Sequence, residues 1–114
     1  MRVYIAGPMR GREYYNFRAF DKAAKELQER GFDTISPADM DRLNGFDPFI
    51  LSPNTNWDGW PTGFDLVACV QRDLCAVINA DAIYMLSGWE SSKGSRAEKA
   101  VAEWMGHKIM YENA

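Results

Sequence analysis

Residues 81–98 constrain the fold more than any other stretch. An apolar run, Asp81-Ala82-Ile83-Tyr84-Met85-Leu86, leads into a loop of mostly small residues, Gly88-Trp89-Glu90-Ser91-Ser92-Lys93-Gly94. An amphipathic helix then begins at Ser95-Arg96-Ala97-Glu98. Strand, loop and helix start are thus written side by side. In an α/β fold this junction gathers several backbone N–H groups at a helix N-terminus, where phosphates and sugars bind. Glu98 lies one turn into that helix, toward the same mouth.

The rest of the chain alternates in the same way. Residues 3–6 read as a short buried strand, and Gly7-Pro8-Met9-Arg10-Gly11 as a loop. Asn16 is placed to cap a helix over 17–30 that ends at Gly31, with Phe17, Phe20, Ala24 and Leu27 at core spacing. A second strand over 33–36 stops at Pro37. A helix is expected over 64–79, with Leu66, Val67, Val70, Leu74 and Val77 inward. A strand over 81–86, a helix over 95–105 and a strand over 108–111 follow. The order β-α-β-loop-α-β-α-β predicts an α/β fold: a small, mostly parallel sheet of about four strands with helices on both faces. Strands one and three then bring residues 7–10 and 88–98 to one edge of the sheet.

Residues 38–63 break the pattern. They hold Pro48, Pro53 and Pro61, Gly45 and Gly59, Asn54 and Asn56, and both Trp57 and Trp60. The segment reads as a long loop, of the kind that serves as a binding lid or a partner contact. Its aromatic content argues against disorder. Packing of the loop onto the sheet is the simplest use of Trp57 and Trp60.

At 114 residues the chain suits one domain, 1–114, with one core. A net charge of -3 argues against a nucleic-acid polymer or an anionic membrane as partner. No apolar stretch approaches the roughly 20 residues of a membrane span. Cys69 and Cys75 share one helix and fit no metal spacing. They read as reduced, mostly buried thiols of a cytoplasmic protein. With a single His, no metal site or Ser-His-Asp set is expected. His107, after Gly106, reads as an exposed helix end.

Glu98 is the first candidate for chemistry. A carboxylate in a partly dry pocket can attack an electrophilic sugar carbon or steady an oxocarbenium-like charge. Ser95-x-x-Glu98 is also a capping box, in which Glu98 folds back on the Ser95 N–H. Spacing leaves both readings open. Ser91, Ser92, Gly94 and Ser95 offer hydroxyls and N–H groups suited to a phosphate, with Lys93 and Arg96 nearby. Asp73 sits at the margin of an apolar helix face, and a solvated acid is the plain alternative. Arg72, Asp21 and Glu26 read as solvated surface charges. Tyr4 stands beside the first loop, where its hydroxyl could reach the pocket. Trp89 offers a ring on which a base could stack.

Taken together, Val3-Tyr4-Ile5-Ala6-Gly7-Pro8-Met9-Arg10-Gly11, Asp73-Leu74-x-x-Val77-x-x-Ala80-Asp81 and Gly94-x-x-x-Glu98 resemble the nucleoside 2-deoxyribosyltransferase superfamily. That superfamily includes the deoxynucleoside 5′-monophosphate N-glycosidases. The likeness is strongest to a small branch of unknown function, frequent in phages and bacteria, with Gly-Pro-Met near the start and Gly-Trp-x-x-Ser-x-Gly-x-x-x-Glu near the end. It spans nearly the whole chain except 38–63. It implies a Rossmann-like three-layer sandwich and cleavage of an N-glycosidic bond, by hydrolysis or by deoxyribosyl transfer, without a cofactor. By that resemblance Glu98 matches the catalytic glutamate, and Asp73 the aspartate that contacts the base and assists its departure. Tyr4, Gly7 and Arg10 match the loop that lines the pocket.

Six residues before Glu98, transferases of free nucleosides carry an aspartate. This chain has Ser92, as the monophosphate hydrolases have a serine that contacts the 5′-phosphate. A hydroxyl beside helix N–H groups attracts a dianion that an aspartate would repel. Pro8 departs from the hydrolases, which have another phosphate-binding serine there. The expected ligand is a small nucleoside or nucleotide. The resemblance and the loop aromatics together point to a homo-oligomer, a dimer or higher, in which Asn113 could complete a neighbour's site. The rival readings are a non-catalytic module that binds or sequesters a nucleotide, and a glycosidase acting on NAD or another ribosyl substrate.

Overall fold

The computed structural model describes residues 1–52 and 54–113, so Pro53 of the long loop lies outside the described residues. Four strands, β1 (Arg2–Ala6), β2 (Asp33–Ile35), β3 (Ala82–Met85) and β4 (Lys108–Tyr111), form one parallel sheet in the order β2-β1-β3-β4. In the central pair Tyr4 stands opposite Ile83, and Ile5 opposite Tyr84. Both β1 and β3 are four-residue buried runs (Val3 to Ala6, Ala82 to Met85), as strands covered on both faces must be.

Period-two alternation sorts their side chains into two cores. Val3, Ile5, Ala82 and Tyr84 pack with Phe17, Phe20 and Leu27 of α1 (Phe17–Glu29) on one face. Tyr4, Ala6, Ile83 and Met85 pack on the other face with Val77 of α3 (Leu66–Ile78) and Ala102 of α4 (Lys93–Trp104). The fold is therefore the expected Rossmann-like α/β sandwich. No helix among the described residues is long and apolar enough to cross a membrane.

Several local expectations are corrected. Pro37 does not merely stop β2: it opens α2 (Pro37–Leu43), since a proline at the first helical position lacks only an N–H that would have no helical partner. The segment 38–63 is therefore part helix, with a further 3-10 turn at Pro48–Ile50. Asn16 does not cap α1 through its side chain. It is left-handed (φ 63°), and its amide donates to the Pro8 carbonyl at 2.8 Å. Tyr14 and Tyr15 precede it with φ of 51° and 49°. Such non-glycine conformations cost about 1–3 kcal/mol each. Tyr14 packs on Phe49, Tyr15 meets Trp57 edge-on, and the Tyr15 hydroxyl donates to the Gly59 carbonyl at 2.9 Å. Trp57 thus packs toward the core, as expected of it.

Four more corrections concern α3 and surface charges. Only Val77 of the five expected inward residues is fully buried, and Leu66, Val67 and Val70 are exposed. Cys75 is exposed as well. Asp21 is not a lone solvated charge, because Arg42 grips both its oxygens, at 2.9 and 2.6 Å. His107 is half-buried, and its Nε2–H donates to the Val77 carbonyl at 2.8 Å, which ties the end of α4 to the end of α3.

Gly7 marks the sharp exit from β1. A Cβ there would meet Leu86 Cδ1 at 2.7 Å and Leu86 Cβ at 2.8 Å. The second contact is too near the backbone to swing away. Gly7→Ala is expected to destabilise the fold by about 1–3 kcal/mol through overpacking. Thermal unfolding monitored by circular dichroism checks this, and an unchanged midpoint would contradict it.

Candidate active site

The chain leaves β1 toward α1 on one face and reaches β3 from α3 on the other. A crevice opens where the crossovers diverge, at the carboxyl ends of β1 and β3. It holds a cavity of about 680 Å³. Gly7 and Arg10 line it from the β1 loop, Asp73 from α3, and Ser92, Gly94, Ser95 and Glu98 from the start of α4. Tyr4 lies beneath them, fully buried, and reaches the site through its hydroxyl. Trp89 is not brought in. It packs outside the cavity against Tyr111, with Lys99 over its ring at 5.4 Å.

The local structure removes the capping-box reading of Glu98. The helix starts earlier than the spacing suggested, with Ser92 as N-cap; its hydroxyl accepts from the Ser95 N–H at 3.1 Å. Ser95 is therefore inside the helix and no capping box forms. The carboxylate of Glu98 instead accepts a short hydrogen bond, 2.5 Å, from the Tyr4 hydroxyl. Burial pushes the Glu98 pKa up to about 8; the Tyr4 hydrogen bond and Arg72 work against this rise, and Asp73 adds to it. The Tyr4 hydroxyl is pushed well above its ordinary value by burial and by the charges of Glu98 and Asp73, so it stays a proton donor in this bond.

Asp73 and Arg72 are not solvated surface charges. Arg72 Nε donates to Asp73 at 2.8 Å, and Arg72 Nη1 donates to Asp41 of α2 at 2.8 Å. Burial opposes the Arg72 charge, but its bonds to Asp73 and Asp41 outweigh that and raise its pKa. Burial also raises the pKa of both carboxyl groups, against the lowering effect of Arg72. The result is an acid–base–acid row along one wall.

Ser95 is buried and its Oγ has no hydrogen-bond partner among the described residues. It lines the cavity one turn from the helix start, so the hydroxyl is free to donate to a ligand there. Arg12 lies across Gly88, whose φ is +87°; a Cβ on Gly88 would come within 2.5 Å of Arg12 Nη2. That close approach requires glycine and sets a guanidinium at the cavity edge. Arg10 lies over the Trp60 ring at 4.3 Å, and Trp60 stacks on Phe64 at 4.2 Å. This stack forms the wall shared with an adjoining lobe of about 440 Å³. Trp60 therefore stays half exposed at the mouth, not packed on the sheet.

Sequence reasoning missed Asp41, Arg72, Arg12 and Phe64 as site residues. Asp41 had a readable signal, because Ser36-Pro37-Ala38-Asp39 has the form of a helix start and α2 carries Asp41. The others depend on contacts distant in sequence. Asn113, offered above for a neighbour's site, donates to Ser87 Oγ at 2.7 Å in its own chain. Among the described residues no group of three or more His, Cys, Asp or Glu is placed to hold a metal ion.

The fold and the crevice define a small Rossmann-like α/β protein with a partly buried glutamate at the switch point of its sheet. The chain belongs to the family described as domain of unknown function (DUF4406), which matches residues 1–111. Among curated proteins, none matches the sequence. Among solved structures, the chain is similar to the CMP N-glycosidase BcmB of Clostridium botulinum. The TM-score is 0.61 at 18% identity, over 97% of this chain and 70% of that one.

Proposed function

We propose that this protein cleaves the N-glycosidic bond of a 2′-deoxynucleoside 5′-monophosphate or deoxynucleoside, by hydrolysis or by deoxyribosyl transfer. The observation that carries the reading is the Glu98 carboxylate. It is free of any capping role, held by the Tyr4 hydroxyl, and set in a cavity one turn from a helix N-terminus. Further support comes from the nucleoside 2-deoxyribosyltransferase pattern in the sequence and from a structural neighbour that is a CMP N-glycosidase.

In this mechanism the 5′-phosphate sits on the first turn of α4, where the Ser92 and Ser95 hydroxyls and helix N–H groups donate to it. Arg10 and Arg12 complement its charge from the mouth. The ionised Glu98 attacks C1′ as the C1′–N bond breaks, and the electron pair goes to the base nitrogen. Asp73 hydrogen-bonds the base or passes it a proton, and Arg72 and Asp41 orient that carboxyl. Water then releases the sugar from Glu98, or a second base takes it. Without a ribose 2′-hydroxyl the C1′ cation forms more easily, which favours deoxy substrates.

One observation favours a second reading. A Glu98 pKa of about 8 leaves much of this carboxyl protonated at neutral pH, the form that donates to a ligand instead of attacking it. A nucleotide-binding module would use it so. The test is a panel of deoxynucleosides, their 5′-monophosphates, ribonucleotides including CMP, and NAD, followed by chromatography for free base. Base release from a deoxynucleoside 5′-monophosphate is the expected result. Tight binding without release from any member would favour the module.

A further inference from the structure

The proposed chemistry uses only part of the space around the site. Beyond Asp73 the cavity wall continues through Arg72 to Asp41, and both of these residues also line the adjoining lobe. The lobe is built differently from the cavity. No residue from Ser91 to Glu98 lines it, so it has none of the hydroxyls and helix N–H groups of the α4 start. Its walls are the rings of Tyr15, Phe46, Trp60 and Phe64. Trp60 is fixed on both sides, because Arg10 at 4.3 Å and the Phe64 ring at 4.2 Å from its ring centre must take opposite faces. Tyr15 and Phe46 meet with their ring centres 5.8 Å apart. An aromatic wall already locked in this way loses little freedom when a guest arrives, which favours binding.

We propose that this lobe holds a bulky, mostly apolar group carried on the base, so that the ligand of the site is a base-modified nucleotide. The placement of the base rests on the reading given under Proposed function. With C1′ at Glu98 and the base at Asp73, the base edge remote from the sugar faces Arg72 and Asp41, and a substituent on that edge passes into the lobe. Volume supports this. Sites for small-molecule ligands run from about 300 to 1,000 Å³. The cavity of about 680 Å³ already has room for a whole unmodified nucleotide, and the aromatic lobe of about 440 Å³ has room for a further ring. Moving an apolar ring out of water into such a lobe is favourable. Charge disfavours a second phosphate there, and with it a dinucleotide. Asp65 caps α3, accepting from the Ala68 N–H at 3.1 Å, and so sets a carboxylate over the helix end that would otherwise draw an anion. Asp41 is a second carboxylate on the lobe, and Arg72 is already held by Asp41 and Asp73. The lobe's walls come largely from residues 41–65, most of them in the segment that the deoxyribosyltransferase likeness leaves out.

Titration calorimetry tests the lobe by binding alone. The probes are dAMP and dCMP, each compared with its analogue carrying a benzyl group on the exocyclic amine. The Glu98→Gln chain is used, so that base release does not consume the probe. In at least one pair the benzyl analogue is expected to bind at least about 10-fold more tightly than its parent, the gain from burying one aromatic ring. Ala68→Trp and Thr62→Trp, each added to that chain, fill the lobe from positions that line it and do not line the cavity. Each is expected to cut the preference to about twofold or less, because the ring then stays in water. Both positions are exposed, so thermal unfolding is expected to show both variants folded; should one fail to fold, the other carries the test. A benzyl analogue that binds no more tightly than its parent in either pair overturns the inference, and so does a preference that survives both fillings. If unmodified monophosphates release base and no benzyl preference appears, the inference falls and the glycosidase reading stands. If no nucleotide releases base while the preference appears and is lost on filling, the glycosidase reading falls and the lobe stands as part of a nucleotide site.

Discussion

Glu98→Ala is expected to lower base release on the order of 10³-fold or more while leaving the fold intact. The carboxylate supplies either the attacking oxygen or the charge that steadies C1′, and nothing else among the described residues that line the cavity duplicates it. Asp73 is the nearest rival, but its carboxyl is committed to Arg72 at 2.8 Å. The pH dependence adds a second readout. With its pKa raised by burial to about 8, Glu98 is ionised only on the alkaline side, so kcat/KM should rise with pH and level off above about 8. The Tyr4 hydrogen bond favours the ionised form. Tyr4→Phe should therefore move the rising limb to higher pH as well as slow the reaction. A pH profile unchanged by Tyr4→Phe, or an alanine variant with wild-type turnover, would sink the mechanism.

The same burial makes Glu98 costly to the fold, and Glu98→Gln should be more stable than the wild type. The folded pKa, about 8, lies above the ordinary 4.5, so the folded state prefers the protonated acid. That preference is fully available below about pH 4.5 and is lost as pH rises through about 8. Glutamine keeps a carbonyl to accept from Tyr4 and carries no charge. Its advantage should be near zero at pH 4.5, grow between 4.5 and 8, and be level above. The plateau is on the order of 5 kcal/mol, or roughly 20 °C in melting temperature for a domain of this size. Melting curves of both proteins from pH 5 to 9 check it. A constant difference across that range would mean that Glu98 is not buried as the structure places it.

Much of the fold was legible because short-range rules carry it. The apolar runs at residues 3–6 and 81–86 are short enough to read as buried strands, and both hold strands covered on both faces. Phe17, Phe20 and Leu27 kept helical spacing and did become the core side of α1. The errors came where one signal served two structures. Pro37 ends a strand and equally begins a helix, so α2 and its Asp41 went unseen. Ser95-x-x-Glu98 and Ser92-x-x-Ser95 are both plausible starts, and the structure takes the second, with Ser92 as N-cap directly after the 3-10 turn at Trp89–Ser91. The apolar stripe of α3 was read as inward, because spacing shows that residues share a face and not what covers that face.

Sequence by itself therefore determined the alternation of strands and helices, the parallel sheet, and the edge at which Gly7, Arg10, Ser92 and Glu98 meet. These follow from hydrophobic period and from crossover handedness, both properties of the local chain. Tertiary structure alone decided what each side chain does there. It put Tyr4 under Glu98 across 94 positions of sequence, and joined Asp73 to Asp41 through Arg72. It also withdrew Trp89 from the cavity and left α3 uncovered. Desolvation and pairing depend on atoms brought together from distant positions, and a one-dimensional pattern does not encode those distances.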